Sequence, residues 1–424
     1  MARVVQVMSG YMNYGGWLPD HTDGCSHNCS MADLAAKPSA LLVMDCANVN
    51  RSFMVNGVQG LIDYSRVPGV IEGAAGVDLR EAVICEYSSH NPEHIDYLGA
   101  LKKSGYTVVE RRLRAVTGSD GTHKLICNMD AEVANEALLR SHAHDVVVIG
   151  SGDADFVPLV HALRMQGKKV LVAANKPAIS RQLAEAVGFN RVIEFGQYQK
   201  SLAMAPGERA PWPNHLKQVD RVPAQEIGSP GKTDSATLLI DGFNLYNSAG
   251  HEGWRINWRR LVSEAETKYG NLSNVLLFDR GPKPAVVNDL YARLQDEGWR
   301  VELKEPKSSG SYSCVVEMAC ASIEAARRGD SVVLATGSGH LLSTVRRLKE
   351  NGVSVGLMAP ECGLSGLLHK EFSPEAFYSI TSHREELIYR NSGPSSASWI
   401  DRGLPPLPSP RLPSRPGQGQ QSPQ

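Results

Sequence analysis

The chain lacks the features of a membrane, secreted or disulfide-stabilised protein. Its 424 residues contain no apolar run of about 18 residues, and residues 1–38 lack a basic segment followed by an apolar one. No CxxC pair occurs among the eight cysteines, and four of them lie in apolar runs, as reduced core thiols do. We therefore expect a cytoplasmic protein with no membrane partner. The four are Cys46, Cys85, Cys127 and Cys320.

An excess of charge of either sign is also missing. The chain has 44 basic and 45 acidic side chains, for a net charge of -1, so global charge gives no argument for binding nucleic acid. A zinc site is not expected either, because the ligand-type residues His21, Cys25, His27 and Cys29 have no second pair of ligands with which to converge.

The remaining sequence is organised as two patterned halves. A stretch rich in Pro, Gly and polar residues separates the halves, and a Pro- and Ser-rich tail follows them. The tail has the composition of a ligand for other protein domains. The sequence is also compatible with a homo-oligomer. We predict a disordered extension over 1–38, a first domain over 39–198, a linker over 199–235, a second domain over 236–390 and a disordered tail over 391–424.

The two halves match each other block by block, in the same order. SALLVMDCANVN in the first half matches ATLLIDGFNLYN in the second, and DVVVIGSGDADF matches SVVLATGSGHLL. Short, continuous apolar runs alternate with helical patterns in both halves, which is typical of α/β domains with mainly parallel sheets covered on both faces. We therefore predict one α/β unit present twice.

Acidic residues in the first half follow the apolar runs directly. Asp45 ends the first run, with Asn48 in the loop after it, and Asp153 and Asp155 follow a Gly-containing turn after another run. Asp130 precedes or opens a helix. Taken singly, Asp45 or Asp153 could simply cap a turn or a helix. Because ligands bind beyond the carboxyl ends of parallel strands, we instead expect these carboxylates to converge.

Converging carboxylates without matching basic residues would repel one another, and a hard cation held by oxygen ligands resolves the repulsion. Mg²⁺ or Mn²⁺ is the natural choice, and such a site would activate water against a phosphodiester. The GSG turn is a poor dinucleotide site, since acids stand where pyrophosphate would meet the helix.

These blocks resemble the NYN domain family. The residues that carry the resemblance are DCANVN after a strand, MDAEVANEAL, and SGDADFVPLV before a helix and GKKVLVAA. The family is similar to PIN-domain and flap-endonuclease-like nucleases. The resemblance implies Rossmann-like, three-layer domains and a metal-dependent ribonuclease acting on RNA.

The resemblance also assigns roles to residues of the first half. Its metal-binding and catalytic acids fall on Asp45, Asp130, Asp153 and Asp155. A further middle acid falls on Glu136, whose longer side chain would alter the geometry of the site. The supporting and substrate-binding positions fall on Asn48, Lys124 and Ser151.

The second half keeps only part of this pattern. Asp241 and Asn244 repeat the first motif, whereas Ser338 and His340 stand where Asp153 and Asp155 would be. Glu317 or Glu324 could replace the middle acid, but one or two carboxylates rarely hold Mg²⁺. We interpret this copy as catalytically degenerate. Since a family fold does not guarantee activity, the alternative function is a non-catalytic RNA-binding or regulatory adaptor.

Overall fold

The computed structural model describes residues 36–55, 62–117, 123–126, 128–202, 235–307 and 312–387. Most of the predicted extension, most of the linker, the tail and the segment from His21 to Cys29 lie outside these ranges, as does Cys127. No helix in the described ranges is long and apolar enough to cross a membrane.

The first domain is built on a parallel sheet with helices on both faces. Its strand order is β3-β2-β1-β6-β7-β8, and β4 and β5 form a separate antiparallel pair. The strands are β1 Ser39–Asp45, β2 Asp78–Ser88, β3 Thr107–Arg112, β4 Arg114–Thr117, β5 His123–Ile126, β6 Val146–Gly150, β7 Lys169–Ala174 and β8 Val192–Glu194. The helices are α1 Cys46–Val55, α2 Val67–Ala75, α3 Pro92–Lys103, α4 Asp130–Arg140, α5 Val157–Met165, α6 Arg181–Val187 and α7 Gln199–Leu202.

The second domain repeats this architecture, with strand order β11-β10-β9-β12-β13-β14. All its described strand pairs are parallel. The strands are β9 Ser235–Asp241, β10 Asn271–Arg280, β11 Arg300–Lys304, β12 Ser331–Ala335, β13 Val355–Ala359 and β14 Phe377–Ser379. The helices are α8 Gly242–His251, α9 Trp258–Tyr269, α10 Ala285–Asp296, α11 Val315–Arg327, α12 Leu342–Glu350, α13 Gly366–His369 and α14 Arg384–Leu387.

The two domains share a hydrophobic core. Helices α4 and α5 of the first domain pack against α11 and α12 of the second. Buried residues from both partners, such as Val133, Leu159, Ile323 and Val345, form one continuous apolar cluster. The outer face of each sheet carries a separate cluster of its own. The domains are therefore joined through core-like packing, which holds their strand ends in a fixed relation.

The predicted α/β class and the duplication are both confirmed. The continuous apolar runs are central strands buried on both faces, as in β1 and β6, where nearly every residue is buried. Cys46, Cys85 and Cys320 are free, buried thiols, in agreement with their apolar sequence context.

Candidate functional site: an acidic cavity shared by two domains

The first acidic motif lies at the carboxyl end of β1. Asp45 is the last residue of this strand, and its Oδ1 accepts a hydrogen bond from the Asn48 amide at 3.1 Å. The expectation that Asn48 lies in a loop is wrong, because α1 begins directly after the strand. The Asn48 side-chain oxygen accepts from the Gly152 amide at 3.1 Å. Asn48 thus joins the first turn of α1 to the turn that follows β6.

The last acidic motif is held in a tight turn after β6. The Ser151 hydroxyl accepts a hydrogen bond from the Asp153 amide at 3.3 Å, and Asp153 Oδ1 accepts from the Asp155 amide at 3.0 Å. Asp153 thereby caps a short 3-10 helix, Ala154–Phe156. A Cβ at Gly152 would lie 2.2 Å from the Ala178 carbonyl oxygen, so the turn requires glycine there.

The middle acid is the first residue of α4. Asn128 holds Asp130 twice: its side-chain amide donates to Asp130 Oδ2 at 2.8 Å, and its oxygen accepts from the Asp130 amide at 2.8 Å. Asp130 is buried, with 8% of its surface exposed. The sequence left its position open between the loop and the helix, and the structure places it at their junction.

The four predicted acids, Asp45, Asp130, Asp153 and Asp155, line one cavity of about 450 Å³. β1 and β6 are parallel neighbours, which explains why their carboxyl ends meet. Burial, followed by the charge of Asp153, raises the pKa of Asp45 to about 6. Burial and the charges of Asp45 and Asp155 raise the pKa of Asp130 to about 7. The cavity therefore concentrates negative charge, which Arg51 of the same domain offsets only in part at Asp45.

Two lysines of the second domain bring further positive charge to the cavity. Lys307 Nζ lies 2.7 Å from Asp153 Oδ2 and 2.8 Å from Asp155 Oδ2. Lys304 Nζ, at the end of β11, lies 3.0 Å from Asp155 Oδ1 and 2.7 Å from Glu317 Oε1. Burial favours the neutral amine, but the carboxylates outweigh it and raise the pKa of both lysines above the ordinary value.

The residue types at this cavity suit a hard divalent cation, since all four acids offer carboxylate oxygens. Their arrangement does not suit such a cation while the two lysines are in place. Within the described part of the chain, no three or more His, Cys, Asp or Glu side chains are grouped as a metal site requires. Two of the four carboxylates bind lysine ammonium groups instead.

The second domain presents its own motif to the same cavity. Asp241 Oδ1 accepts from the Asn244 amide at 3.0 Å, and the Asn244 side-chain oxygen accepts from the Gly337 amide at 2.8 Å. These bonds repeat those of Asp45 and Asn48. Burial raises the pKa of Asp241 to about 6.

The remaining acids have no counterparts in the second domain. Val315 opens α11 as Asp130 opens α4, and Ser338 caps the short helix before α12 as Asp153 caps the one before α5. His340 takes the place of Asp155. All three replacements line the shared cavity.

Glu136 is not among the residues that line the cavity. Its carboxylate bonds Arg140 Nε at 2.6 Å and also bonds Arg347 of the second domain. With 2% of its surface exposed, Glu136 forms a buried ion-pair network between the domains.

Other predicted positions have different surroundings. Ser151 is fully buried in the turn after β6. Lys124 belongs to β5, but its side chain lies outside the described structure. In the second domain, Glu317 is paired with Lys304, and Glu324 is exposed and paired with Arg328 at 3.1 Å.

Sequence reasoning missed the lysines because they lie in the other half of the chain. The alignment of YTVVERR with WRVELKE does place Arg111 opposite Lys304. Both residues reach across the domain boundary. Arg111 Nη1 pairs with Glu132 Oε1 of its own domain at 3.1 Å, and its Nη2 donates to the Gly339 carbonyl of the second domain at 2.8 Å. The sequence signal that could have identified Lys304 is that both copies keep a basic residue at this aligned position.

An aromatic pair on the second domain's side of the cavity was also missed. Phe243 and Tyr312 meet edge to face, with ring centroids 5.0 Å apart. No pattern in the sequence places these two rings together, because they come from α8 and from the segment before α11.

Comparison with solved structures finds matches of low identity and low TM-score. A Vibrio parahaemolyticus protein of unknown function is 20% identical, with a TM-score of 0.32, and the match covers 38% of this chain and 94% of that one. Acinetobacter baumannii MurG is 14% identical, with a TM-score of 0.21 and coverage of 79% and 82%. A putative UDP-N-acetylglucosamine 2-epimerase from Listeria monocytogenes is 9% identical, with a TM-score of 0.22 and coverage of 77% and 80%. TM-scores this low carry no argument about function.

Comparison with curated proteins finds no match. The family model of the NYN domain matches residues 39–192 and again residues 235–376. These two segments contain every strand of the two sheets except β14 and the end of β8, and they contain both copies of the Asp and Asn motif. The chain therefore belongs to the NYN domain family, of which it carries two copies in tandem.

Proposed function

We propose that this chain is a divalent-metal-dependent ribonuclease that hydrolyses RNA phosphodiester bonds in its first domain. One observation carries the proposal: carboxylates from three separate segments meet at one cavity in a member of the NYN family. Such convergence is costly without a cation, as the raised pKa values of Asp45 and Asp130 indicate. A functional demand explains why the first domain keeps this arrangement.

The residues that would hold Mg²⁺ or Mn²⁺ are Asp45, Asp130, Asp153 and Asp155. When bound, the cation supplies an activated water and neutralises charge on the phosphodiester. Asn48 orients Asp45 and the turn at Gly152 through its two hydrogen bonds. Ser151 supports Asp153, and we assign Lys124 to phosphate contact. Because the cation requires ionised ligands, its affinity should fall as Asp45 and Asp130 become protonated.

A second candidate is a non-catalytic RNA-binding or regulatory adaptor. The ion pairs of Lys304 and Lys307 with Asp155 and Asp153 favour it, because they neutralise half of the acidic group without a metal. In that case the domains would hold RNA without cutting it. The free, buried thiols of both domains support a cytoplasmic location for either function.

Cleavage of mixed RNA substrates by the purified full-length chain, with Mn²⁺ or Mg²⁺ and with chelator, tests the proposal. We expect metal-dependent cleavage, and Asp153→Asn should reduce its rate on the order of 10³-fold. Asparagine can still cap the Asp155 amide, so the turn should persist while the ionised ligand is lost.

Asp145→Asn is the matched control, because Asp145 is an exposed residue directly before β6, whereas Asp153 follows the other end of that strand. It should cleave at the wild-type rate. Equal cleavage rates for the wild type and Asp153→Asn would contradict the nuclease assignment. RNA binding that falls steeply with salt, without any cleavage, would support the adaptor.

A further inference from the structure

The two lysines at the acidic cavity are anchored differently. Lys304 is fixed within its own domain by Glu317 at 2.7 Å and by the Ser313 carbonyl at 2.9 Å, in addition to its contact with Asp155. The described contacts of Lys307 are with the first domain alone, through Asp153 and Asp155. Lys307 can therefore leave the cavity without breaking an ion pair of its own domain.

Lys307 occupies both oxygens of one predicted ligand. Its Nζ lies 2.8 Å from Asp153 Oδ1 and 2.7 Å from Asp153 Oδ2. Metal ligation needs the same oxygens at short range and repels an ammonium group beside them. Lysine and metal are alternatives at Asp153.

The ammonium group also lies near solvent. The side chains of Lys307 and Asp153 are 36% and 26% exposed, whereas that of Asp155 is only 5% exposed. Partly exposed ion pairs are individually weak. Exchange of Lys307 for a divalent cation therefore requires no opening of the shared core.

We propose that Lys307 is a tethered counter-cation that competes with divalent metal for Asp153 and Asp155. The degenerate domain thereby lowers the metal affinity of the acidic domain. This inference rests on the proposed function in one respect, namely that these carboxylates take a divalent cation.

Titration of the full-length, RNA-free protein with Mn²⁺, followed by calorimetry, tests the competition. Lys307→Met keeps the aliphatic stem and removes the charge. It should tighten Mn²⁺ binding about three- to tenfold, as expected for loss of a partly exposed, charge-assisted competitor. Lys307→Arg keeps the charge and should bind Mn²⁺ with an affinity near that of the wild type.

Lys283→Met is the matched control. Lys283 also pairs with a buried aspartate of the second domain, Asp279, at 2.8 Å, but neither residue lines the shared cavity. Its Mn²⁺ affinity should equal that of the wild type. Thermal melting in chelator verifies that each variant is folded, and Lys307→Gln replaces Lys307→Met if the latter is not.

The outcomes separate this inference from the ribonuclease proposal. Tighter Mn²⁺ binding by Lys307→Met supports the inference even if no RNA is cleaved, in which case the proposed activity alone fails. Unchanged or weaker binding overturns the inference, even if RNA cleavage depends on metal. Absence of Mn²⁺ binding in every variant also overturns it.

Discussion

In each domain an aspartate ends the first strand, and an asparagine three residues later bonds a glycine amide in the loop of the neighbouring strand. The second domain keeps this frame through Asp241 and Asn244. It replaces the other acids by Val315, Ser338 and His340.

This difference separates residues that hold the turn from residues suited to chemistry. Ser338 still caps its short helix by accepting from the His340 amide at 3.4 Å, as Asp153 does for Asp155. Either residue therefore satisfies the fold at this position. The carboxylate of Asp153 adds charge that the turn does not require, which points to a function for that charge.

The domains also differ in the contacts that their equivalent basic residues make across the domain boundary. Arg111 of the first domain reaches a backbone carbonyl in the second, whereas its counterpart Lys304 reaches a carboxylate in the first. The second domain thus lies beside the acidic first domain as a source of positive charge.

The largest expected effect is on the rate of RNA cleavage, and it shows whether equivalent aspartates of the two domains have different roles. We expect Asp45→Asn to reduce metal-dependent RNA cleavage on the order of 10³-fold, whereas Asp241→Asn should change it less than about threefold. Asparagine preserves both turns, because its side-chain oxygen can accept the same amide hydrogen bond. Single-turnover cleavage rates measure the difference. A comparable loss in both variants would show that the second domain takes part in the chemical step.

The next largest effect is on stability and concerns Asp130 and its counterpart Val315. It is measured as the dependence of the unfolding free energy on pH, with chelator present. The folded-state pKa of Asp130 is about 7, against 3.8 for the ordinary residue. The folded protein therefore binds more protons between about pH 4 and 7, and its stability falls as the pH rises through this window. Asp130→Asn should remove this fall and stabilise the fold by about 4 kcal/mol at pH 8 but little at pH 4.

Val315→Asp is the mirror experiment. It places a carboxylate at a position that is 5% exposed, so it should destabilise the protein and do so more at pH 8 than at pH 5. If Asp130→Asn has the same pH profile as the wild type, Asp130 does not titrate in this window and the electrostatic description of the cavity is wrong.

The smallest effect distinguishes the domain interface from the site. Glu136→Gln leaves Arg347 without its buried partner and should cost about 2 kcal/mol, less than a fully buried pair because Arg347 is partly exposed. Chemical denaturation measures this loss. Metal affinity and cleavage should not change.

Glu350→Gln is the control for Glu136→Gln, since Glu350 is an exposed partner of the same arginine at 3.1 Å. It should cost less than about 0.5 kcal/mol. Weaker Mn²⁺ binding in Glu136→Gln would instead favour the ligand role that the family resemblance implies.

Local patterns were sufficient to predict the strands, the duplication and the convergence of Asp45, Asp153 and Asp155. Continuous apolar runs specify strands buried on both faces, and the carboxyl ends of parallel neighbours meet at one edge. The position of Asn48 was predicted wrongly, because α1 begins without the loop that usually follows a strand. Periodicity does not determine such boundaries.

The sequence by itself determined that this protein contains two copies of one α/β unit and that only one copy keeps its acids, since both follow from local periodicity and from aligning the halves. The tertiary structure decided that the two copies share a core and a cavity, that Glu136 pairs across the boundary, and that Lys304 and Lys307 neutralise the acids of the other copy. These contacts join residues about 150 to 210 positions apart. Only packing between the two domains brings such charges together, because no local propensity acts over that separation.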